Sequence, residues 1–356
     1  MIRPQHLVPL VAALALAACR SRGPSAPSDL APDGQPWTRV TVDTYARAKS
    51  DTILRGFVED GMFGALVHER TPAALADEEA TRQNYDTIDS IGVFDLSSPV
   101  TVTLPDPGAR FQALSVISEE HSILPAIYGP GATTLSIESV GTRYALIGVR
   151  THADPSDPQD LAEAAALQDR IVVQQEDPGS FEAPHWNPRS LEAQTAAMRF
   201  LATTLDDTSG GLGEKGAVDP IHQWLSASYS WGGTPKSLAV YAGGVVQKND
   251  GKTAHVLTIP AEVPVDGFWS ITAYDGRGRL LRAKDGPLVL CSSNVERNAD
   301  GSATVRFGGD ADAANRLPIA KGWSYIVRLY RPRPEILDGS WSLPKPARVD
   351  EDDQNR

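Results

Sequence analysis

The chain has 356 residues, 41% hydrophobic and 22% charged, which is length for about two domains and enough apolar content to exclude a disordered chain. Its 33 basic and 45 acidic residues give a net charge of −12, which argues against a nucleic-acid binder and against peripheral attachment to anionic lipid. The 30 glycines and 27 prolines favour strands and turns, and two cysteines cannot build a disulfide scaffold.

Arg3 precedes an apolar run from Leu7 to Ala18, too short to span a bilayer but fit for a secretory leader. The run ends in Leu16-Ala17-Ala18-Cys19, which resembles a bacterial lipobox: cleavage before Cys19, whose thiol then carries the lipid. The alternative is a plain cleavage site beside a chance cysteine. Arg20 follows, with no aspartate to mark inner-membrane retention, so the expected address is the outer membrane, facing the periplasm. Residues 19–36 place Pro24, Pro27, Pro32 and Pro36 among Ser, Gly and Ala, an extended tether between a lipid anchor in the membrane and the folded body. Lipidation would leave Cys291 as the one thiol, read as a buried small hydrophobe because no histidine or basic residue neighbours it in sequence.

Tyr45, Ile53 and Phe57 among polar residues predict a helix within 41–60. From about residue 91 the apolar period becomes two: Val100, Val102 and Leu104 alternate with threonines before Pro105-Asp106-Pro107-Gly108, and 111–117, 133–137, 143–149 and 171–175 are further strands. Leu191, Met198, Leu201 and Leu205 predict a helix over 190–206. Asp219-Pro220 reads as an N-cap followed by proline at the first helical position. Strands return at 237–246 and 253–259, flanking Asn249-Asp250-Gly251 as a hairpin, and at 268–274, 303–307 and 323–329. The expected fold is mainly β, with two jelly-roll or β-sandwich-like parts, a helical N-terminal segment and a helical insert. The expected divisions are leader 1–18, tether 19–36, β domain 37–183, helical connection 184–235, β domain 236–348 and charged tail 349–356.

Two motifs mislead. Gly211-Leu212-Gly213-Glu214-Lys215-Gly216 spells the dinucleotide fingerprint, but it follows a helix and precedes Asp219-Pro220, so it is a glycine-rich connection. Gly251-Lys252-Thr253 lacks the first glycine of a phosphate loop, since position 246 is Val. There is no Gly-x-Ser-x-Gly elbow and no strong metal signature, and no cofactor is implied.

The stretch 82–106, with Asn84, Asp86, Thr87, Phe94-Asp95-Leu96 and Pro99-Val100, resembles the start of the DUF1254 domain, and 109–121, 141–151 and 167–169 continue the likeness. Segments 216–235, 263–275, 299–310 and 317–341 resemble the companion domain DUF1214. Tyr85 departs from the usual Arg, Asp310 and Arg316 stand where close relatives are expected to have cysteines, and "HSILPAIYG" from His121 is atypical. The resemblance implies a β-rich, two-part jelly-roll fold with a helical insert. It implies little chemistry.

The candidate catalytic groups are Asp86, Glu120 and His121: a carboxylate or a histidine beside carboxylates serves as general base. Asn84 and Asp86 equally fit an Asx-turn. Asn84, Arg110, Arg143, Arg150 and His222 are candidates for substrate binding, the arginines as an anion clamp. Internal salt bridges to Asp86, Asp95 or Asp154 are the simpler reading, because Arg143 and Arg150 lie an odd number of residues apart and face opposite ways on a strand. His68, His121 and His222 would hold a metal only if two of them converge with Asp86 or Glu120. Trp231, Trp269 and Trp323 read as core more readily than as sugar-stacking platforms, and Arg328, Arg331 and Arg333 as partners of acids such as Glu335. Two functions follow as expectations: a hydrolase or lyase acting on a small acidic or sugar-like substrate, or a non-catalytic envelope lipoprotein that binds glycans or small ligands.

Overall fold

A computed structural model describes residues 31–32, 34–72, 81–205, 209–282 and 286–349. Cys19, the Leu7–Ala18 run and the tail beyond residue 349 lie outside these. The fold is mainly β with 21% helix, an N-terminal helix and a helical insert, and among the described residues the sheets form no closed barrel. Among the described residues no helix is long and apolar enough to cross a membrane.

The chain forms two compact units. Of the described residues, the first takes those within 31–69, 89–151 and 166–235; the second takes those within 70–88, 152–165 and 236–349.

In the first unit a five-stranded sheet runs in the order Val67–His68, Thr87–Asp95, Tyr144–His152, Gln112–Ser118, Ile127–Tyr128. Its long strands are buried on both faces because alternate residues serve two cores. Ile91, Val93, Ile117 and Leu146 pack with the helix Tyr45–Glu59 and with residues of Pro188–Ala202 and Pro220–Ser230. Phe94, Val116, Ala145, Ile147 and Val149 join Val100, Val102 and Leu104 of the three-stranded sheet Gly131–Leu135, Val100–Leu104, Val172–Gln175. Both insert helices start on caps with proline at the first turn. The Asn187 side chain accepts from Ser190 N–H, and Asp219 accepts from Ile221 and His222 N–H. The glycine-rich connection has a packing reason: a Cβ at Gly211 would lie 2.1 Å from the carbonyl oxygen of His222, so only glycine admits the helix there.

The second unit is a sandwich of two four-stranded sheets. One runs Leu290–Cys291, Trp269–Tyr274, Ser324–Tyr330, Ala239–Gly244; the other Arg316–Leu317, Ala303–Phe307, His255–Ile259, Ala347–Arg348. Trp269, Ile271, Trp323, Val327, Leu257, Val305 and Phe307 fill the space between them, so Trp269 and Trp323 are core residues. The hairpin expected at Asn249-Asp250-Gly251 is absent. Ala239–Gly244 and His255–Ile259 belong to different sheets, and the turn carries the chain from one to the other. Its local chemistry is that of a tight turn, with Asp250 accepting from Lys252 and Thr253 N–H and Gly251 at φ +76°. Those features set the turn and do not set which strands pair across it.

Candidate functional site

Strand alternation in the second unit creates the site. On Trp269–Tyr274 the odd residues enter the sandwich core, so Ser270, Thr272 and Tyr274 face the other way; on Ser324–Tyr330 the same rule turns out Arg328 and Tyr330. Ser270 pairs with Arg328 across the two strands, and this polar face is fully buried.

Asp86, wholly buried, closes over that face. Its carboxylate accepts from the Tyr330 hydroxyl at 2.9 Å and from the Ser270 hydroxyl. Arg328 donates to the Tyr274 hydroxyl at 2.7 Å, to the Gln83 carbonyl at 2.7 Å and to Thr272 at 3.2 Å. Burial opposes its charge, but Tyr274 and Asp86 more than offset that, and the guanidinium stays firmly protonated. Asn84 accepts from Asp86 N–H at 3.0 Å and donates to Thr87, which makes it the Asx-turn that sets Asp86 in place.

The same residue orients a histidine. His152 Nδ1 lies 2.9 Å from the main-chain carbonyl of Asp86. A carbonyl only accepts, so Nδ1 carries the proton and Nε2 of the neutral ring is the acceptor. Nε2 lies 3.2 Å from the hydroxyl of Ser293, an exposed residue on the turn that follows Leu290–Cys291. The His152 ring packs on Phe268 with centroids 4.1 Å apart, and Phe268 stacks on Tyr330 at 4.3 Å. Tyr330 returns to the Asp86 carboxylate, so backbone, imidazole, two aromatic rings and carboxylate close a loop. The serine turn is pinned as well: Asn294 accepts from Cys291 N–H at 2.6 Å and donates to Asp154 at 2.7 Å. Burial, with Asp86 and Asp154 nearby, pushes the Cys291 thiol well up, so it is protonated and inert.

The other candidates fall elsewhere. In the first unit, Glu120 and His121 are consecutive but diverge. Glu120 pairs with Lys215 on the surface. His121, 0% exposed, uses Nε2 to accept Gly232 N–H at 3.0 Å and presents no face to a ligand. Arg143 forks onto Asp95 and reaches Glu182, while Arg150 meets Asp89; the two guanidiniums serve different carboxylates and form no joint clamp. Arg110 donates its N–H to Pro107 at 3.1 Å. His68 hydrogen-bonds Ser90 at 2.7 Å, and half-buried His222 belongs to the short helix capped by Asp219. Among the described residues no group of three or more His, Cys, Asp or Glu is arranged to hold a metal. Arg333 pairs with Asp266 and Glu262 rather than Glu335.

Sequence reasoning missed a buried ionic cluster in the first unit. Arg47 bridges Asp51 and Glu119, both with fully buried side chains, and Trp186 donates to Asp51 at 2.9 Å. Burial pushes Glu119 up to about 7 against the pull of Tyr144 N–H and Arg47, with the Asp51 carboxylate adding to the rise. Burial lowers His121 to about 4. The signs differ. A raised carboxyl keeps its proton longer in the folded state, so Glu119 lowers stability as pH rises from about 4.5 to about 7. A depressed histidine lowers stability as pH falls from about 6.5 to about 4. The Glu119→Gln protein should therefore lose less stability than the natural one between about pH 5 and about pH 8, followed by urea midpoints. Parallel curves would exclude Glu119 as the titrating group.

The polar face and the serine turn lie on one sequence segment. Residues 239–334 match the family model DUF1214, described as a protein of unknown function. No curated protein matches the chain. Its structure is similar to that of the VPA0106 protein from Vibrio parahaemolyticus, with a TM-score of 0.66 and 17% identity over 86% of this chain and 98% of that one. An uncharacterised protein from Burkholderia cenocepacia aligns with a TM-score of 0.47 and 14% identity, over 86% of this chain and 88% of that one. At 17% identity the Vibrio likeness establishes the fold alone. The DUF1214 match contains Ser270, Thr272, Tyr274, Ser293, Arg328 and Tyr330; Asp86 and His152 reach the second unit from outside it.

Proposed function

We propose that the chain is an exported lipoprotein, anchored through Cys19 to the outer membrane and facing the periplasm, that works as a serine hydrolase on a small acyl substrate. We take its first β part as DUF1254-like on the residues 82–151 that carry the resemblance. One observation carries the activity: an exposed serine hydroxyl within hydrogen-bond reach of a histidine whose proton position is dictated by a backbone carbonyl. In the reaction Ser293 Oγ attacks the acyl carbon and passes its proton to His152 Nε2. The leaving alcohol takes that proton as the C–O bond breaks, and water, activated by the same nitrogen, releases the acid. Asp86 is a positioning residue, acting through its carbonyl. An acidic substrate is supported by Arg297, which donates to the carbonyls of Gly301 at 2.9 Å and Ser292 at 3.4 Å and so places a positive charge beside the Ser292–Ser293 peptide.

The test is covalent. The full chain in detergent, treated with a fluorophosphonate probe, should carry one adduct, on Ser293, absent in Ser293→Ala and formed about 10²–10⁴-fold more slowly in His152→Gln. Mass spectrometry of the same preparation should find the lipid on Cys19. An unlabelled Ser293 overturns the hydrolase reading and favours the binding lipoprotein; an unmodified Cys19 overturns the anchor.

A further inference from the structure

On the second sheet of the sandwich, Arg306 and Arg316 are register partners on adjacent parallel strands, Ala303–Phe307 and Arg316–Leu317. The next register pair, Phe307 and Leu317, is buried in the core, so by alternation both arginines point to the outer face, where both are half-buried. Paired side chains on neighbouring strands are about 5 Å apart at their Cβ atoms, where like charges oppose folding. Among the described residues neither guanidinium meets a carboxylate. Arg306 Nη1 is held by carbonyl oxygens alone, of Ala314 at 3.1 Å and Thr304 at 3.4 Å. Arg316 Nε is buried with no hydrogen-bond partner. The loop that delivers Arg316 is locked: Asn315, at φ +53°, exchanges two hydrogen bonds with the Glu296 backbone, at 2.8 and 2.7 Å. The pair thus sets two cations side by side with no carboxylate against either among the described residues, and leaves one buried donor unused.

We infer that Arg306 and Arg316 together bind the phosphate of a phosphomonoester. Two fixed positive charges match a dianion, whereas a single carboxylate would leave one uncompensated, and the guanidinium forks offer paired donors to phosphate oxygens. The site is independent of the Ser293 reaction. The phosphate belongs either to a soluble compound or to a lipid headgroup.

Inorganic phosphate is the first probe, titrated at constant ionic strength against chloride with melting temperature as the readout. Phosphate should raise the melting temperature of the natural chain and leave Arg306→Gln and Arg316→Gln unmoved. Without phosphate Arg316→Gln should melt no lower than the natural chain, since it relieves like-charge repulsion and its buried Nε has no hydrogen bond to lose; a purely structural arginine would give the opposite. An equal phosphate response in all three proteins, or a response matched by chloride, overturns the site. The source is read by sedimenting the full chain carrying Cys19→Ser with phosphatidylcholine vesicles that contain or lack phosphatidic acid. Sedimentation only with phosphatidic acid, lost in Arg316→Gln, assigns a headgroup. A phosphate response without sedimentation assigns a soluble phosphomonoester.

Discussion

Asp86→Ala should destabilise the protein by about 3–5 kcal/mol, the cost of leaving a buried charge without its counter-charge. The loss has two parts. The hydroxyls of Tyr330 and Ser270 lose their acceptor in a fully buried site. Arg328, itself 1% exposed, keeps only neutral partners, namely Thr272, Tyr274 and the carbonyls of Arg82 and Gln83. The Asx-turn at Asn84 remains, because it uses the Asp86 backbone. Asp86→Asn keeps an acceptor and loses the charge, so it should cost less. Arg328→Met placed on Asp86→Ala should recover part of the loss, since an apolar chain of similar length removes the stranded cation. Denaturant midpoints measure all four proteins. A loss below about 1 kcal/mol in Asp86→Ala would mean that the carboxylate does not hold Arg328 in place.

How far the sequence discloses this arrangement follows from the range of each interaction. Elements with local causes are legible. The alternation of Val100, Val102 and Leu104 and the Asp219-Pro220 start mark their elements to the residue, and the stripe of Leu191 and Met198 marks a helix that begins two residues before the expected 190 and ends four before the expected 206. Register across the chain is not legible. Asn249-Asp250-Gly251 has the composition of a hairpin turn, yet its flanking strands join different sheets, because the choice of partner depends on core packing hundreds of atoms away. The site shows the same divide. Asp86 is visible as an acid in a turn, but its partners Ser270 and Tyr330 are 184 and 244 positions distant. His152 ends a strand, and nothing nearby in sequence marks the Asp86 carbonyl or the Ser293 hydroxyl as its neighbours. His121 misled for the converse reason: beside Glu119 and Glu120 it reads as catalytic, while its buried Nε2 serves the backbone of Gly232. In sequence Arg328 reads as the partner of a local acid, whereas two-sided burial of its strand makes it the cation of the polar face.

Ser293→Ala and His152→Gln should each lower ester hydrolysis by at least about 10³-fold, and the double variant should be no worse than the more damaged single one. Non-additivity is the signature of two groups that share one step. Once the hydroxyl is gone the imidazole has no proton to take, and without the imidazole the hydroxyl has nowhere to send it. The pH profile adds a second criterion. A histidine base works only as the neutral ring, so hydrolysis should fall in acid. Geometry supplies a third. The Phe268 ring lies against His152 at 4.1 Å and against Tyr330 at 4.3 Å, so Phe268→Ala removes the support that fixes the imidazole plane while leaving both reacting atoms present. It should lower kcat with KM nearly unchanged, because substrate meets Ser293 and the base behind it aims less well. These results would place catalysis on a turn of the DUF1214 segment whose base is oriented from a residue outside that segment, which makes the activity a property of the assembled second unit rather than of residues 239–334 alone. Losses in the two single variants that multiply in the double would instead show that serine and histidine act apart, and the dyad would be excluded.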